Sequence, residues 1–450
     1  MKTSLRQLTV LAPALAGFIL SSATTRADWP QQYGNSSTNR GYGVATDAAG
    51  NVFASGVTNG GILGQSAIGS ADGFVAKWNS SGTVQWAQLF GTTGIDQVMG
   101  LARVGTDQVA AGGRTAGSLP GFTSAGGDDA MVRLYNSTGG TVWTRQFGSA
   151  FSDVVWALAT DGQGHLYVGG YAHGSLGGPN AGGADAFVSQ IEITTGVVNW
   201  TRQLGSAAND LGWGLAADAA GNVYLGGYTN GTLPGQISLG NYDAFVLKLD
   251  QSGSQQWLRQ FGSGSFDEAR GLAVDSTGAV LVAGGTDGTL PGASSQGGRD
   301  AFVLKLNPAT GATVWTHQFG TAGDDYGIGV AVKTNDQIVV AGYTGGVFLD
   351  ETSPDGANDG FVRVLLPDGT VAFTDQFGGS SDVYADGGVA VDDAGNAYLA
   401  GYTTGALSGQ TSQGGNDAFL IQTVPEPASA ALLLGGGALL ALRRRNGFIL

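Results

Sequence analysis

Residues 271–285, GLAVDSTGAVLVAGG, alternate apolar and small residues on either side of the turn Ser276-Thr277-Gly278, the pattern of two strands joined as a hairpin. Two further strand signals follow. DAFVLKL at 300–306 lies beyond a long Gly/Ser/Pro loop, and ATVWTHQFG at 312–320 lies beyond the turn Asn307-Pro308-Ala309-Thr310-Gly311. A four-stranded unit of this size cannot bury both its faces alone and needs copies of itself on either side.

The copies are present. The motif D-[AG]-[FM]-[VL] begins at Asp72, Asp129, Asp185, Asp243, Asp300, Asp359 and Asp417, at intervals of 56 to 59 residues. A second motif, W-x-x-Q-[FLY]-G, begins at Trp29, Trp86, Trp143, Trp200, Trp257 and Trp315, with Phe373 in the remaining copy and Leu89 in place of one glutamine. Seven units of four strands are the count of an all-β, seven-bladed propeller with antiparallel blades. Strands crowd near a propeller axis, so the small GLAVD strand belongs innermost, followed outward by NVYLAGY, DAFVLKL and the tryptophan-bearing strand. The chain opens on an orphan outer strand at Trp29 and ends on DAFLIQT, which lacks an outer partner. The first strand is therefore expected to complete the last blade and leave no ring edge unpaired.

These repeats, GLAVD-x-x-GNVYLAGYT above all, resemble the SBBP-type β-propeller repeat, with a likeness to NHL-repeat propellers in strand order. The resemblance spans about residues 28–423. It implies architecture and carries no activity, since the family is defined by fold.

Composition agrees with this reading and narrows the function. Glycine supplies 80 of 450 residues, 42% of the chain is hydrophobic and only 12% is charged, which suits many short strands with tight turns. The formal net charge of −15 disfavours nucleic acid as a partner. The absence of cysteine excludes disulfides, thiolate metal sites and cysteine nucleophiles.

Both ends read as addresses. Residues 1–27 have the form of a signal peptide: Lys2 and Arg6, a short apolar core at 8–20, and Thr25 and Ala27 placing cleavage before Asp28. Residues 424–450 carry Pro425-Glu426-Pro427, an apolar run at 428–442, and Arg443, Arg444 and Arg445. As a helix that run covers roughly 22 Å, short of a hydrocarbon core of about 30 Å. This tail resembles the PEP-CTERM sorting signal of Gram-negative bacteria. The resemblance implies recognition by an exosortase-type membrane protease after signal peptidase has acted, and a surface or matrix location, with the membrane engaged through the tail at least transiently. The residues after the arginines depart from the usual shorter ending.

No catalytic constellation stands out. His165, His173 and His317 share no ligand pattern. Acids recur instead. The seven motif aspartates and a second set, Asp96, Asp153, Asp210, Asp267 and Asp325, with Asn39 and an offset Asp382 in the other two copies, fall on the face of the long loops. Repetition in every blade points to turn stabilisation, with Ca²⁺ ligation by the second set as the alternative. Trp86, Trp143, Trp200, Trp257 and Trp315 recur in register and read as blade packing, whereas Trp156 and Trp213 do not repeat and lie near the channel mouth. Arg270 and Arg299 are mild departures from the repeat. The expectation is an exported binding or structural protein, not an enzyme, that engages polysaccharide or a surface protein. The alternatives are an exported carbohydrate-active hydrolase or lyase and a Ca²⁺-stabilised structural domain.

Overall fold

The computed structural model describes residues 31–348 and 357–423. The segments read as export and sorting signals, and Trp29, lie outside the described residues. Seven antiparallel sheets surround one axis, and no helix occurs among the described residues. Six blades occupy 39–90, 96–147, 153–204, 210–261, 267–319 and 325–377, each with strands in chain order from the axis outward. The seventh is composite: Val383–Tyr384 and Val389–Val391 share the inner position, followed by Ala397–Thr403, Asp417–Thr423 and, outermost, Gln31–Tyr33. The first strand therefore closes the ring as expected, pairing Gln31, Gln32 and Tyr33 with Leu420, Phe419 and Ala418. Gln32 secures the closure, donating to Gly405 O and Asp417 Oδ2 at 2.8 Å each and accepting from Leu407 N at 2.8 Å.

The core lies between blades. Second and third strands are buried along almost their whole length, and Phe53, Phe187, Phe245, Phe302, Phe361 and Phe419 fill the wedges between neighbouring sheets. The repeated tryptophans join blade to blade. Indole nitrogens of Trp86, Trp143, Trp200 and Trp257 donate to Ser137 O, Ile193 O, Gln251 O and Pro308 O of the next blade at 2.7–3.0 Å. Trp315 keeps its ring against the next blade's turn glycine, Gly369, without that hydrogen bond.

The inner strands carry the least expected feature. In each of the six regular blades the register slips by one residue, so Tyr42, Met99, Trp156, Trp213, Arg270 and Ile328 have no partner on the second strand. Such a bulge bends the strand and re-aims the extra side chain. The carbonyl two residues before it presses on the second strand. A Cβ at Gly56, Gly113, Gly170, Gly227, Gly284 or Gly342 would lie far inside contact distance of Arg40 O, Gln97 O, Val154 O, Leu211 O, Glu268 O or Tyr326 O, and Gly401 stands in the same relation to Tyr384 O. This explains why glycine holds that position in every repeat.

Adding a side chain there must displace backbone, which costs more than a crowded core methyl, typically about 1–3 kcal/mol. Gly227→Ala is therefore expected to lower unfolding stability by at least about 2 kcal/mol in a denaturant titration. Gly264→Ala, where no heavy atom lies within 4 Å of the new Cβ, serves as the control and should stay within about 0.5 kcal/mol of the parent.

Candidate functional site

The recurring acids are built into the loops. Asp129, Asp185, Asp243 and Asp300 accept from the backbone N–H four residues earlier, at 2.8–3.0 Å, and from the outer-strand glutamine of the same blade, Gln146, Gln203, Gln260 or Gln318, at 2.7–3.0 Å. Each of those glutamines also accepts from a loop N–H, as Gln260 does from Leu233, and donates to a loop carbonyl. Asp359 and Asp417 receive the same bond from Gln376 and Gln32. In the first blade Leu89 stands in for the glutamine, and Asp72 takes Ile68 N and Gly69 N instead.

The second set does similar work. Asp96, Asp153, Asp210, Asp267 and Asp325 each accept from the backbone N–H of a Ser or Thr four residues earlier, at 2.6–2.7 Å, and from its hydroxyl. The first blade replaces the pair with Asn35 and Asn39, and Asn39 accepts from Thr58 Oγ1 at 2.7 Å. In the last blade the offset Asp382 does not take the position: Val383 does, opposite Thr403, and Gly379 replaces the hydroxyl residue. Asp382 instead caps Asn358 N at 2.9 Å. Burial pushes the carboxyls of Asp153, Asp210, Asp267 and Asp325 above their usual range, opposed by the Ser and Thr hydrogen bonds and reinforced by the neighbouring motif aspartate. No group of three or more His, Asp or Glu residues among the described residues is arranged to hold a metal. The histidines stand apart. His165 pairs with Asp161 at 2.7 Å, His173 meets Ser152 O at 3.0 Å, and burial followed by Arg363 pushes His317 down to about 4.

Chemistry concentrates at the axis. The bulge residues Tyr42, Met99, Trp156, Trp213, Arg270 and Ile328 line a cavity of about 350 Å³ on the propeller axis, with glycine or alanine and then leucine or valine after each. In the last blade the inner strand breaks around Ala385-Asp386-Gly387-Gly388, and Asp386 completes the ring. Trp156 and Trp213 stand 4.1 Å apart between ring centroids, and the Arg270 guanidinium lies 4.3 Å over Trp213. Glu268, buried, sits 2.9 Å from Arg270 Nε and 3.2 Å from Arg299 Nη1. Burial pushes the Asp386 carboxyl above its usual range, Arg270 and Arg40 counter this, and Glu268 adds to it.

An aromatic belt extends from this ring across the long-loop face. Trp213 stacks on Tyr228 at 6.3 Å, and Tyr228 meets Tyr242 and Phe266 at 5.6 and 5.5 Å. Arg299 bridges Phe266 to Tyr326 at 4.4 and 4.8 Å. Tyr326, Tyr343, Tyr384 and Tyr402 continue at 4.6 to 5.0 Å, and Arg40 covers Tyr402 at 4.8 Å. These rings are half-buried, each presenting part of its surface at the mouth. The sequence marked Trp156, Trp213, Arg270 and Arg299 but missed Glu268, Asp386 and the tyrosines. Aligning the repeats on their Asp and Gly positions exposes the signal for Asp386: the last blade holds one extra residue between Val383 and Val389.

A carboxyl held above its unfolded pKa binds its proton more tightly in the folded state. Its stabilising contribution is complete below the unfolded value of 3.8 and is lost as pH rises through the folded value. Asp267→Asn, which copies the natural Asn39, should therefore match or exceed the parent's stability at pH 7, and the parent should gain on it as pH falls towards 4. Asp267→Ala, which leaves Ser263 and Thr286 without their acceptor, should cost about 1–3 kcal/mol at both pH values. Denaturant midpoints at the two pH values check both; an alanine variant as stable as the parent would remove the clamp's role.

Comparison with known proteins places the repeat. Residues 199–234 and 372–407 match the family model for the SBBP beta-propeller repeat. The regulatory protein FlaEY of Caulobacter vibrioides is 28% identical over 386 aligned residues, covering 75% of this chain and 39% of that protein. The chain thus spans about two-fifths of the length of the curated relative it matches. Among solved structures, the Neurospora crassa Pan2 WD40 domain aligns with a TM-score of 0.48 at 12% identity, covering 86% of this chain and 90% of that one. The propeller domain of the Trilobed protease from Pyrococcus furiosus aligns at 0.46 and 6% identity, covering 86% and 94%. The chain is a β-propeller repeat protein of seven blades, two stretches of which match the SBBP repeat.

Proposed function

We propose that this chain is an exported, non-enzymatic binding protein of a Gram-negative cell surface or matrix that holds polysaccharide on its long-loop face. One observation carries the reading: the aromatic belt that runs from Trp156 to Tyr402 around the axis. Tyrosine and tryptophan present a flat apolar surface with a polar handle, which suits the C–H faces and hydroxyls of sugars. The belt rests on loops pinned by the aspartate and glutamine clamps, so little ordering remains to be done on binding. Geometry also supports display. The chain enters the strand Gln31–Tyr33 and leaves the strand Asp417–Thr423 on the short-turn face, opposite the belt. A tail processed at a membrane would therefore leave the belt facing outward. The description of the Caulobacter relative as a regulatory protein agrees with recognition rather than turnover.

Glu268 and Asp386 favour a second reading, that of a carbohydrate-active hydrolase. They are non-repeating carboxylates in unlike surroundings, Asp386 in the cavity wall and pushed up by burial, Glu268 buried outside that wall and paired with two arginines, and glycoside hydrolysis uses two carboxyl groups in different roles.

The purified chain should be retained on exopolysaccharide from a PEP-CTERM-bearing bacterium. Tyr343→Ala combined with Tyr384→Ala should weaken retention at least tenfold, the equivalent of about 1.4 kcal/mol. No new reducing ends should appear during the incubation. Reducing ends that vanish in Glu268→Gln would establish the hydrolase instead, and absence of retention would remove both readings.

A further inference from the structure

We infer that the six bulge positions and Asp386 form a subsite for one or two neutral pyranose units, their apolar face against the Trp156–Trp213 pair and their hydroxyls between Arg270, Asp386 and Tyr42. This rests on the glycan-binding reading and names the class of sugar and where its end is held.

The repeat supplies its own control. Positions that build the blade keep one chemistry in all copies: the second-strand glycine, the motif aspartate and the third-strand phenylalanine or methionine that follows it. The bulge position, on the inner strand of the same blades, keeps none. Around the ring it reads Tyr42, Met99, Trp156, Trp213, Arg270, Ile328 and Asp386, two of them charged and three aromatic. A purely structural plug in a sevenfold ring would be met by one apolar residue repeated, and Met99 and Ile328 show that an apolar residue fits. Chemistry that varies only where the scaffold leaves the residue free belongs to recognition.

Size and charge then restrict the ligand. The cavity of about 350 Å³ stands at the low end of small-molecule sites, roughly 300–1,000 Å³, which admits the end of a glycan and not a length of chain. Arg270 is neutralised by Glu268, and Glu268 is shared with Arg299, which also pairs with Asp287 at 2.6 Å. Asp386 forms no ion pair among the described residues and faces the cavity. The ring therefore holds one carboxylate outside any ion pair and an arginine that is already paired, within a chain of net charge −15. Uronates and sulfated sugars meet repulsion there, whereas neutral hydroxyls find a carboxylate to donate to and guanidinium N–H groups to accept from. The adjacent indoles, with Arg270 lying over Trp213, supply the apolar part of the wall against which the sugar is held.

The test uses the full chain and two oligosaccharide sets of two to six units: neutral gluco-, manno- and galacto-oligosaccharides, and oligogalacturonates. Binding is read by calorimetry and by tryptophan fluorescence. Neutral oligomers should bind, quench or shift the emission, and gain no affinity beyond the length at which the cavity and its rim are filled. Trp213→Ala and Asp386→Ala should each weaken binding at least tenfold. Trp213→Phe, which keeps a ring and guards against loss of fold, should retain most of it, and Trp86→Phe on the propeller's outer edge should leave it unchanged. Binding of the oligogalacturonates with silence from every neutral set would overturn the inference while leaving the glycan reading intact. Neutral binding that survives Trp213→Ala would move the site off the ring and overturn it equally. Failure of both sets, together with failure of exopolysaccharide retention, would remove the underlying reading.

Discussion

Seven backbone carbonyls pressed against seven glycines set the geometry of this propeller. The carbonyl two residues before the bulge occupies the space that a Cβ would take on the adjacent strand, from Arg40 O at Gly56 to Tyr384 O at Gly401. That approach lets each inner strand bend towards the axis. Neighbouring inner strands then nearly touch, which is why the residue after the bulge is also small: a Cβ at Gly100, Gly214 or Gly271 would meet Trp156 O, Arg270 O or Ile328 O at 2.5–2.9 Å. A bulge adds one residue that the ladder cannot use. In a closed ring that residue has only the channel to occupy. The device that closes the scaffold thus creates, in the same step, a set of positions on which the scaffold makes no demand.

The long-loop face shows the opposite use of repetition. Its aspartates are buried and close to one another, an arrangement that suggests a site until the donors are counted. Each of Asp129, Asp185, Asp243 and Asp300 holds its own loop through a backbone N–H and an outer-strand glutamine, and the inner-strand set holds the turn that follows through a Ser or Thr. Even the glycine after Gln-Phe is required, because a Cβ at Gly148 would fall between Asp129 and Asp153 at 2.6 and 2.9 Å. The substitutions that evade the pattern do so in pairs: Asn35 with Asn39, and Gly379 with Val383. Paired change within one turn is what a hydrogen-bonded clamp requires. A metal ligand set would need its members to converge on a single point instead.

Strand identity, blade count, blade order and closure were all legible in the sequence, because each depends on local alternation and on a period that seven copies make unmistakable. The roles of the outer tryptophans were legible for the same reason. The mouth was less so. Its residues come from different blades and are neighbours only once the ring has closed, so no spacing in the chain brings Tyr326 to Tyr343 or Arg299 to Glu268. Tyr228, Tyr343 and Tyr402 were hidden by repetition itself, since the G-Y-T that ends three of the seven second strands reads as β-propensity. Asp382 misled because it sits one residue from the clamp position, and in a strand one residue is a change of face. Val383 occupies the place, and the segment after it, one residue longer than in the other blades, carries Asp386 at the axis.

That insertion separates scaffold from site. The last blade must satisfy two demands that the other six do not face together: it is stitched from both ends of the chain, and its inner strand is interrupted. The interruption would be expected to weaken the blade where closure rests, among the described residues, on three residue pairs. The structure compensates locally. Gln32 places three hydrogen bonds into the loop and the motif aspartate, and Tyr384 and Tyr402 stack at 5.0 Å across the broken register. A defect retained and braced at the seam of a repeat protein needs a reason beyond folding, because an uninterrupted copy of the same strand was available six times over. Asp386, set in the channel opposite an arginine that no other blade carries at that position, supplies one.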